Sequence, residues 1–184
     1  MMNRAVVTVL CLVFVLFSGC SAVRMKDTQF RDAPANSRAL ITFVRESIWL
    51  GDGIDLYLWD GETFIGALIA GTMVQYEVAP GEHIFMARSE NWSYVKANLV
   101  AGNNYFVKAN MFPGFGTVRS ALKGVEAADD RVLEWPIKRK TKEVVDPKAK
   151  EKYANAHRAD AAKALRAYEA GSVTYDEVGK KHAF

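Results

Sequence analysis

The sequence predicts a mostly β protein: an antiparallel β-sandwich of about seven to eight strands with a C-terminal α-helical tail. Between residues 38 and 135, short runs rich in Val, Ile, Phe, Tyr and Trp are separated by Gly, Asp, Asn and Pro. Turn residues recur there about every 8–12 residues, a spacing typical of sandwiches and barrels rather than of βαβ units. After residue 146 the chain becomes rich in Ala, Lys, Arg and Glu, which favours a helix.

Eight runs within residues 38–135 are predicted to be strands. Asp60-Gly61 lies between the second and third runs and is the strongest short signal for a two-residue hairpin turn. Pro80-Gly81 and Gly102-Asn103 mark later links. The strands are expected at Ala39–Arg45, Ile54–Trp59, Thr63–Ile69, Met73–Val78, His83–Ser89, Tyr94–Val100, Tyr105–Met111 and Val118–Lys123.

Several of these runs alternate apolar and polar residues, as strands with one buried and one wetted face do. In the sixth run Val95, Ala97 and Leu99 share one face. In the second run Ile54, Leu56 and Leu58 oppose Asp55, Tyr57 and Trp59. This pattern predicts a two-layer domain with partly wetted outer faces.

The tail, residues 136–184, is expected to be a basic connector followed by a helix, with 12 basic and 7 acidic side chains. Asp146 is a suitable N-cap, Pro147 a suitable first helical residue and Gly171 a suitable residue just past the helix end. The apolar stripe of this helix is narrow and largely alanine. We therefore expect loose packing on the domain or on a partner.

Residues 1–19 have the features of a signal peptide. Arg4 gives a positively charged start, and residues 5–17 form a mainly apolar run of the usual length. A transmembrane helix needs about 20 apolar residues, so this run is too short to span a bilayer stably.

The run Leu16-Phe17-Ser18-Gly19-Cys20 ends the signal peptide and resembles the bacterial lipobox, although Phe17 stands where that pattern prefers Leu, Val or Ile. The resemblance implies cleavage after Gly19 and acylation of Cys20, with residues 20–37 as a lipidated tether. An ordinary secretory peptide with a chance cysteine is the alternative. Ser21 follows the cysteine where aspartate would imply inner-membrane retention, so we expect an outer-membrane anchor facing the periplasm.

The acyl chains would make this attachment effectively permanent, because two or three chains exceed the marginal binding of a single one. The chain has two cysteines, Cys11 and Cys20. Cys11 would leave with the signal peptide and Cys20 would carry lipid. The mature domain is therefore expected to have no disulfide and to depend on its hydrophobic core.

Three motifs in order point to a family. They are Asp60-Gly61 followed by Ile65-Gly66, then Pro80-Gly81 with His83, then Ala101-Gly102 with Tyr105. This order resembles the bacterial domain-of-unknown-function family 2846 and, more distantly, PEGA-type β domains, over roughly residues 38–125. The resemblance implies a sandwich-like module of envelope lipoproteins with no established activity.

No catalytic, cofactor-binding or metal-binding residues are predicted, and the protein is expected not to be an enzyme. The histidines, His83, His157 and His182, have no ligand spacing. The carboxylates at 52, 55 and 60 lack the spacing of a calcium loop. A lower-ranked hypothesis is an enzyme whose site forms from scattered carboxylates and His83.

The function predicted instead is that of a non-enzymatic module, anchored to the membrane, that binds an envelope protein or a cell-wall partner. Phe112 and Phe115 lie among turn residues and are the candidate partner contacts, the alternative being that both rings close the core. Since the chain is expected outside the cytoplasm, no nucleic-acid partner is predicted.

Two further hypotheses concern other surfaces. One is a periplasmic small-ligand or glycan-binding module that uses Tyr57, Trp59 and Trp92 as wetted aromatic residues. The other concerns the basic run 138–142, which is either a contact for anionic lipid or acidic glycan, or a solvated connector.

Overall fold

Eleven strands form two sheets in the computed structural model, which describes residues 23–35 and 37–184. The strands are β1 (Met25–Thr28), β2 (Ala39–Arg45), β3 (Leu56–Asp60), β4 (Thr63–Leu68), β5 (Thr72–Val78), β6 (Gly81–Arg88), β7 (Trp92–Leu99), β8 (Asn104–Pro113), β9 (Val118–Val125), β10 (Lys140–Val144) and β11 (Asp176–Val178). The helices are α1 (Arg131–Lys138), α2 (Pro147–Glu169) and a 3₁₀ turn at Lys180–His182. The mostly β fold and the C-terminal helix are thus confirmed.

The strand count and the pairing differ from the prediction. Eight strands, β2 to β9, lie within residues 38–135 close to their expected bounds, and β1, β10 and β11 come from outside that region. The six-stranded sheet has the order β1-β10-β5-β2-β8-β9, and the five-stranded sheet has the order β11-β7-β6-β3-β4.

Three of the strand pairs are parallel, which corrects the expectation of an antiparallel domain: β10 with β5, β2 with β8, and β11 with β7. Turn residues fix only hairpins between consecutive strands. After β2 the chain builds β3 and β4, makes β5, crosses to β6 and β7, and returns to place β8 beside β2. No residue pattern near β8 indicates that it pairs with β2, which lies far away in the sequence.

Side chains from both sheets meet in one apolar cluster. Phe43 of β2 and Phe85 of β6 pack edge to face there, with ring centroids 5.4 Å apart, and both are fully buried. Their neighbours include Ile41, Leu58 and Val107. At about 25 cal/mol per Å² of buried apolar surface, this cluster is the main stabilising element of a domain without disulfides.

The outer face of the five-stranded sheet is covered by α2. The Asp146 side chain accepts a hydrogen bond from the Lys148 N–H, and Pro147 begins the helix, as the sequence predicts. Tyr153 of α2 stacks on Tyr57 at 4.7 Å and lies 4.6 Å from Phe64. The packing of α2 is therefore specific rather than loose.

The outer face of the six-stranded sheet is partly covered by α1, a helix that the sequence did not indicate. Val132 and Trp135 of α1 are buried against Phe106 of β8, whose ring lies 6.0 Å from that of Trp135. Phe30, just after β1, stacks on the same Phe106 ring at 6.5 Å.

The segment expected to be a tether is built into the sheet where the structure describes it. Strand β1 pairs antiparallel with β10, Met25 opposite Val144. Val23, the first described residue, is buried and belongs to the apolar cluster beneath α2. This strand cannot be recognised from its sequence, because a short edge strand needs few apolar residues and β1 is mostly polar.

Candidate functional site

The predicted lipidation residue, Cys20, lies outside the described residues, as do the signal peptide and Cys11. The predicted partner contacts are described. They sit at the tip of the β8–β9 hairpin, where Phe115 is fully exposed and Phe112 is 37% exposed. Neither ring belongs to an apolar cluster of the core, so the alternative in which both close the core does not hold.

The Phe115 loop is fixed by one carboxylate. Glu90, from the β6–β7 turn, accepts hydrogen bonds from the backbone N–H groups of Phe115, Gly116 and Thr117, at 3.0, 3.1 and 2.6 Å. These bonds, that of Thr117 first, lower the pKa of the Glu90 carboxyl below its usual range. A Cβ at Gly114 would meet the Glu90 carboxyl carbon at 2.8 Å, so a larger residue there would displace this carboxylate.

Phe112 lies near the hairpin end of β8, beneath the positively charged side chain of Arg119. The Arg119 guanidinium is centred 5.8 Å from the Phe112 ring, directly across the hairpin. A cation over an aromatic face contributes roughly 0.5–1 kcal/mol at an exposed site. The ring is therefore held in place although it is not buried.

A second loop, residues 46–55 between β2 and β3, carries two more exposed apolar side chains. Trp49 is 91% exposed and Ile48 is 43% exposed. Asp52 closes this loop, since its carboxylate accepts from the Ser47 hydroxyl at 2.6 Å and from the Ile48 N–H at 3.1 Å. Gly51 has a positive φ of 82°, a conformation that glycine adopts without strain.

Arg45, the last residue of β2, holds the same loop from inside. It is fully buried, and its guanidinium donates to the carbonyl oxygens of Gly51, Ile54 and Leu68. Burial lowers its pKa, and the charges of Asp52 and Asp55 act in the opposite direction. The cost of burying this cation is offset by the three carbonyl dipoles.

The two loops lie at the same end of the molecule. A Cβ placed on Gly51 would meet Val118 Cγ1 at 3.2 Å and the Met111 methyl at 3.3 Å. The backbone N–H of Glu90 also donates to the Val118 carbonyl at 3.3 Å. We call the surface formed by Ile48, Trp49, Phe112 and Phe115 the aromatic end.

Sequence reasoning found the phenylalanines of the aromatic end but missed Ile48 and Trp49. The available signal was Ile48-Trp49-Leu50 directly before Gly51-Asp52-Gly53, which places apolar residues in a loop rather than in a strand. An apolar run next to a glycine-rich turn is ambiguous on sequence alone, because it equally describes the end of a buried strand.

The aromatic residues of the ligand-binding hypothesis are not gathered in an open site. Trp59 is fully buried beneath α2, and Tyr57 is half-buried under the Tyr153 ring. Trp92 lies elsewhere, half-buried at the start of β7 with the Arg88 guanidinium 5.8 Å from its ring. The alternation in β3 predicted that the face with Tyr57 and Trp59 is exposed to solvent. In the structure α2, which is distant in sequence, covers this face.

The charges of the basic run are paired with nearby carboxylates, although the Lys138 and Lys140 side chains remain 62% and 73% exposed. A contact with anionic lipid or acidic glycan stays a prediction. Lys138 pairs with Glu134 at 2.7 Å, and Arg139 lies 3.7 Å from Glu46. Lys140 and Lys142 both pair with Asp27 of β1, which lowers the pKa of that carboxyl. Most of this run is strand β10.

Each of the three histidines has partners of its own. His83 Nδ1 is 2.9 Å from an Asp60 carboxylate oxygen, and its Nε2 donates to the Ala79 carbonyl at 3.0 Å. Burial raises the Asp60 pKa, and His83 acts against that rise. This pair ties the end of β3 to the β5–β6 turn.

The other histidines make local contacts. His157 lies 3.2 Å from an Arg88 nitrogen on α2's sheet-facing side, and His182 Nδ1 accepts from the Gly179 N–H at 3.1 Å. Among residues 23–35 and 37–184 no group of His, Cys, Asp and Glu side chains is arranged to hold a metal ion.

Two negative findings complete the description. Within the described part of the chain, no helix has both the length and the apolar character to cross a bilayer. Comparisons with protein-family models, curated proteins and solved structures found no match. The resemblance to family 2846 therefore stays a prediction made from motifs.

Proposed function

We propose that this protein is a lipid-anchored component of the bacterial envelope, held to a membrane through Cys20, whose β-sandwich domain binds a partner protein through the aromatic end. The observation that carries the proposal is that Phe115 and Trp49 are almost wholly exposed on loops with fixed backbones. The protein acts by binding and catalyses no reaction.

The exposure of these rings favours docking over folding as their role. Burying a side chain such as Phe contributes about 1.5–3 kcal/mol, and Trp49 and Phe115 contribute little of this to the fold. Binding surfaces concentrate their energy in a few aromatic residues that fill pockets of a partner. The aromatic end has that composition.

The fixed loop backbones also support docking. Glu90 restrains residues 115–117, while Arg45 and Asp52 restrain residues 46–55. A loop already fixed in its bound form loses less conformational entropy when a partner binds. Exposed aromatic side chains on restrained loops therefore favour a specific protein contact.

The direction of the strands supports a protein, rather than the bilayer, as the partner that contacts the aromatic end. Strand β1 runs in the same direction as β2, since β1 is antiparallel to β10, β10 parallel to β5, and β5 antiparallel to β2. The chain leading from Cys20 thus enters at the end of the sheet where β2 begins. The loop that carries Trp49 comes directly after the last residue of β2, at the opposite end of the sheet. An anchor on Cys20 would therefore attach at the end away from the aromatic end.

The anchor is tested by metabolic labelling. Cells that produce the Cys20→Ala variant are expected to incorporate no labelled palmitate into the protein and to accumulate unprocessed precursor. The Cys11→Ala variant is the matched control and should label normally. Palmitate retained on Cys20→Ala contradicts the anchor.

The docking surface is tested by photo-crosslinking in intact cells. A photoreactive amino acid at position 115 or 49 should give one discrete protein adduct. The control is position 133, since Leu133 on α1 is also largely exposed, at 73%. Adducts with lipid alone, or the same adducts from position 133, contradict the proposal.

A further inference from the structure

An open cleft of about 770 Å³ lies between the two sheets, next to the aromatic end. One wall is β9, the edge strand of the six-stranded sheet, and the other is the first part of β7. Residues 172–176 close the third side. Strand β11 pairs with β7 only along Val95–Ala97, which leaves Trp92 to line the cleft.

The walls of the cleft are held by side chains. The Asn91 amide donates to the Ser120 carbonyl at 2.9 Å and accepts from the Ser120 N–H at 2.8 Å, as a neighbouring strand would. Further along β9, the Asp176 carboxylate accepts from the Gly124 N–H at 2.8 Å. The backbone groups of Ser120 and the N–H of Gly124 are thereby occupied, which disfavours an added strand at these positions of the edge.

Aromatic rings and neutral polar groups both line the cleft. Tyr175 is 47% exposed and packs edge to face on Tyr168 at 5.0 Å, and Trp92 is half-buried. Asn110 and Thr174 add an amide and a hydroxyl group to the lining. A pyranose ring suits this lining, because it has an apolar C–H face and a ring of hydroxyl groups.

The free charge in the cleft is positive. Its charged lining residues are Arg119, Lys123 and Asp176, and the Asp176 carboxylate is already bound to a backbone N–H. Within the described ranges, neither Arg119 nor Lys123 has a carboxylate partner, in contrast to the paired lysines of β10. A ligand carboxylate would supply one.

We infer that this cleft binds a short anionic saccharide, with one sugar ring against Trp92 and an acidic group between Arg119 and Lys123. The inference does not rest on the anchor. The cleft adjoins the aromatic end through Phe112, whereas neither Trp49 nor Phe115 lines it. It gives the protein a second binding surface of different chemistry.

Titration calorimetry on the full mature protein in detergent tests the inference, with tetragalacturonic acid as the anionic probe and maltotetraose as the neutral one. The anionic probe should bind with a Kd below about 1 mM, and the neutral probe at least tenfold more weakly. Trp92→Phe should weaken binding and remove the quenching of tryptophan fluorescence by the probe.

The charge contribution needs a matched pair of variants. Arg119→Gln with Lys123→Gln should weaken binding of the anionic probe at least tenfold, whereas Arg158→Gln with Lys163→Gln, the same charge loss on exposed residues of α2, should leave it unchanged. All four side chains are exposed, so both double variants should stay folded. Loss of the Arg119–Phe112 contact should lower the melting temperature of the first by no more than about 2–4 °C. Equal binding of the two probes, no binding of the anionic probe, or equal effects of the two double variants overturns the inference.

Discussion

Glu90 shows how a single exposed side chain can define a loop. Its carboxylate is the acceptor for three consecutive backbone N–H groups, which no neighbouring strand satisfies at the tip of the β8–β9 hairpin. Hydrogen bonds to a carboxylate favour its ionised form. The loop conformation that presents Phe115 is therefore coupled to one ionisation.

Replacing Glu90 with Gln should loosen the loop. A glutamine offers one acceptor oxygen in place of two, so amide hydrogen exchange at residues 115–117 is expected to accelerate at least tenfold. Glu62→Gln, at an exposed residue of the β3–β4 turn, is the matched control. Unchanged protection in Glu90→Gln would show that the carboxylate does not hold the loop.

The same loop should respond to acid. Because folding lowers the Glu90 pKa, the stabilisation by its carboxylate is complete above the unfolded-state pKa and is lost as the pH falls through the lowered folded-state value. Exchange at residues 115–117, corrected for intrinsic rates, should stay slow at neutral pH and rise only in acid below the usual glutamate range. An opening near neutral pH would contradict this.

Arg45 is the second residue on which the aromatic end depends. Arg45→Met leaves the carbonyl groups of Gly51, Ile54 and Leu68 without their donor and should lower the free energy of unfolding by about 3 kcal/mol. Urea denaturation measures this. Arg158→Met, at an exposed position of α2, should change stability by less than about 0.5 kcal/mol, and equal losses from the two variants would contradict the assignment.

The elements show what sequence signals encode and what they leave out. Hairpin turns such as Asp60-Gly61 are local, so β2 to β9 were predicted close to their observed bounds. Strand β10 has the sequence Lys-Thr-Lys-Glu-Val and resembles a solvated connector, because its pairing with β1 and β5 involves residues far away in the chain. Non-local pairing overrides local propensity there.

The capping residues of α2 predict the helix, but they do not predict that it covers the five-stranded sheet. The sequence shows a narrow apolar stripe that is largely alanine, with Tyr153, Leu165 and Tyr168, which indicates little buried area. The structure uses the small residues to bring the helix close to the sheet, with Ala161 fully buried and Ala164 5% exposed, so that Tyr153 reaches the aromatic cluster on β3 and β4. How closely α2 approaches the sheet cannot be inferred from the helix sequence alone, because it also depends on the side chains of β3 and β4.

Tyr153 should therefore be the main attachment of α2. Tyr153→Ala removes the one ring that contacts both Tyr57 and Phe64. It is expected to lower the free energy of unfolding by about 3 kcal/mol, measured by urea denaturation. Lys152→Ala changes the neighbouring exposed residue and should have little effect. A near-zero effect of Tyr153→Ala would mean that α2 packs loosely after all.

At the scale of the whole molecule, the ends of the described chain are part of the sheets. Strand β11 extends the five-stranded sheet, and Phe184 exchanges two backbone hydrogen bonds with Asn104, at 2.9 and 3.2 Å. The Phe184 ring also packs edge to face on Phe106 at 5.1 Å. The region 38–135 thus shares its stability with segments on either side.

Ending the chain after Tyr175 should consequently destabilise the whole domain. Loss of β11 and of the Phe184 contacts is expected to cost about 2 kcal/mol or more, which lowers the melting temperature by roughly 4–8 °C for a domain of this size. Phe184→Ala keeps the backbone pairing and should lose less than half as much. An unchanged melting temperature in the shortened chain would contradict this account.

The burial of Val23 sets how far the domain would lie from an anchor on Cys20. Only two residues, Ser21 and Ala22, lie between Cys20 and this fixed side chain, so the three Cα-to-Cα steps span about 10 Å even when fully extended. A domain of this size is roughly 40 Å across. With acyl chains on Cys20, the domain would therefore lie close to the lipid headgroups, and its partners would have to come within about one domain diameter of the same leaflet to be captured.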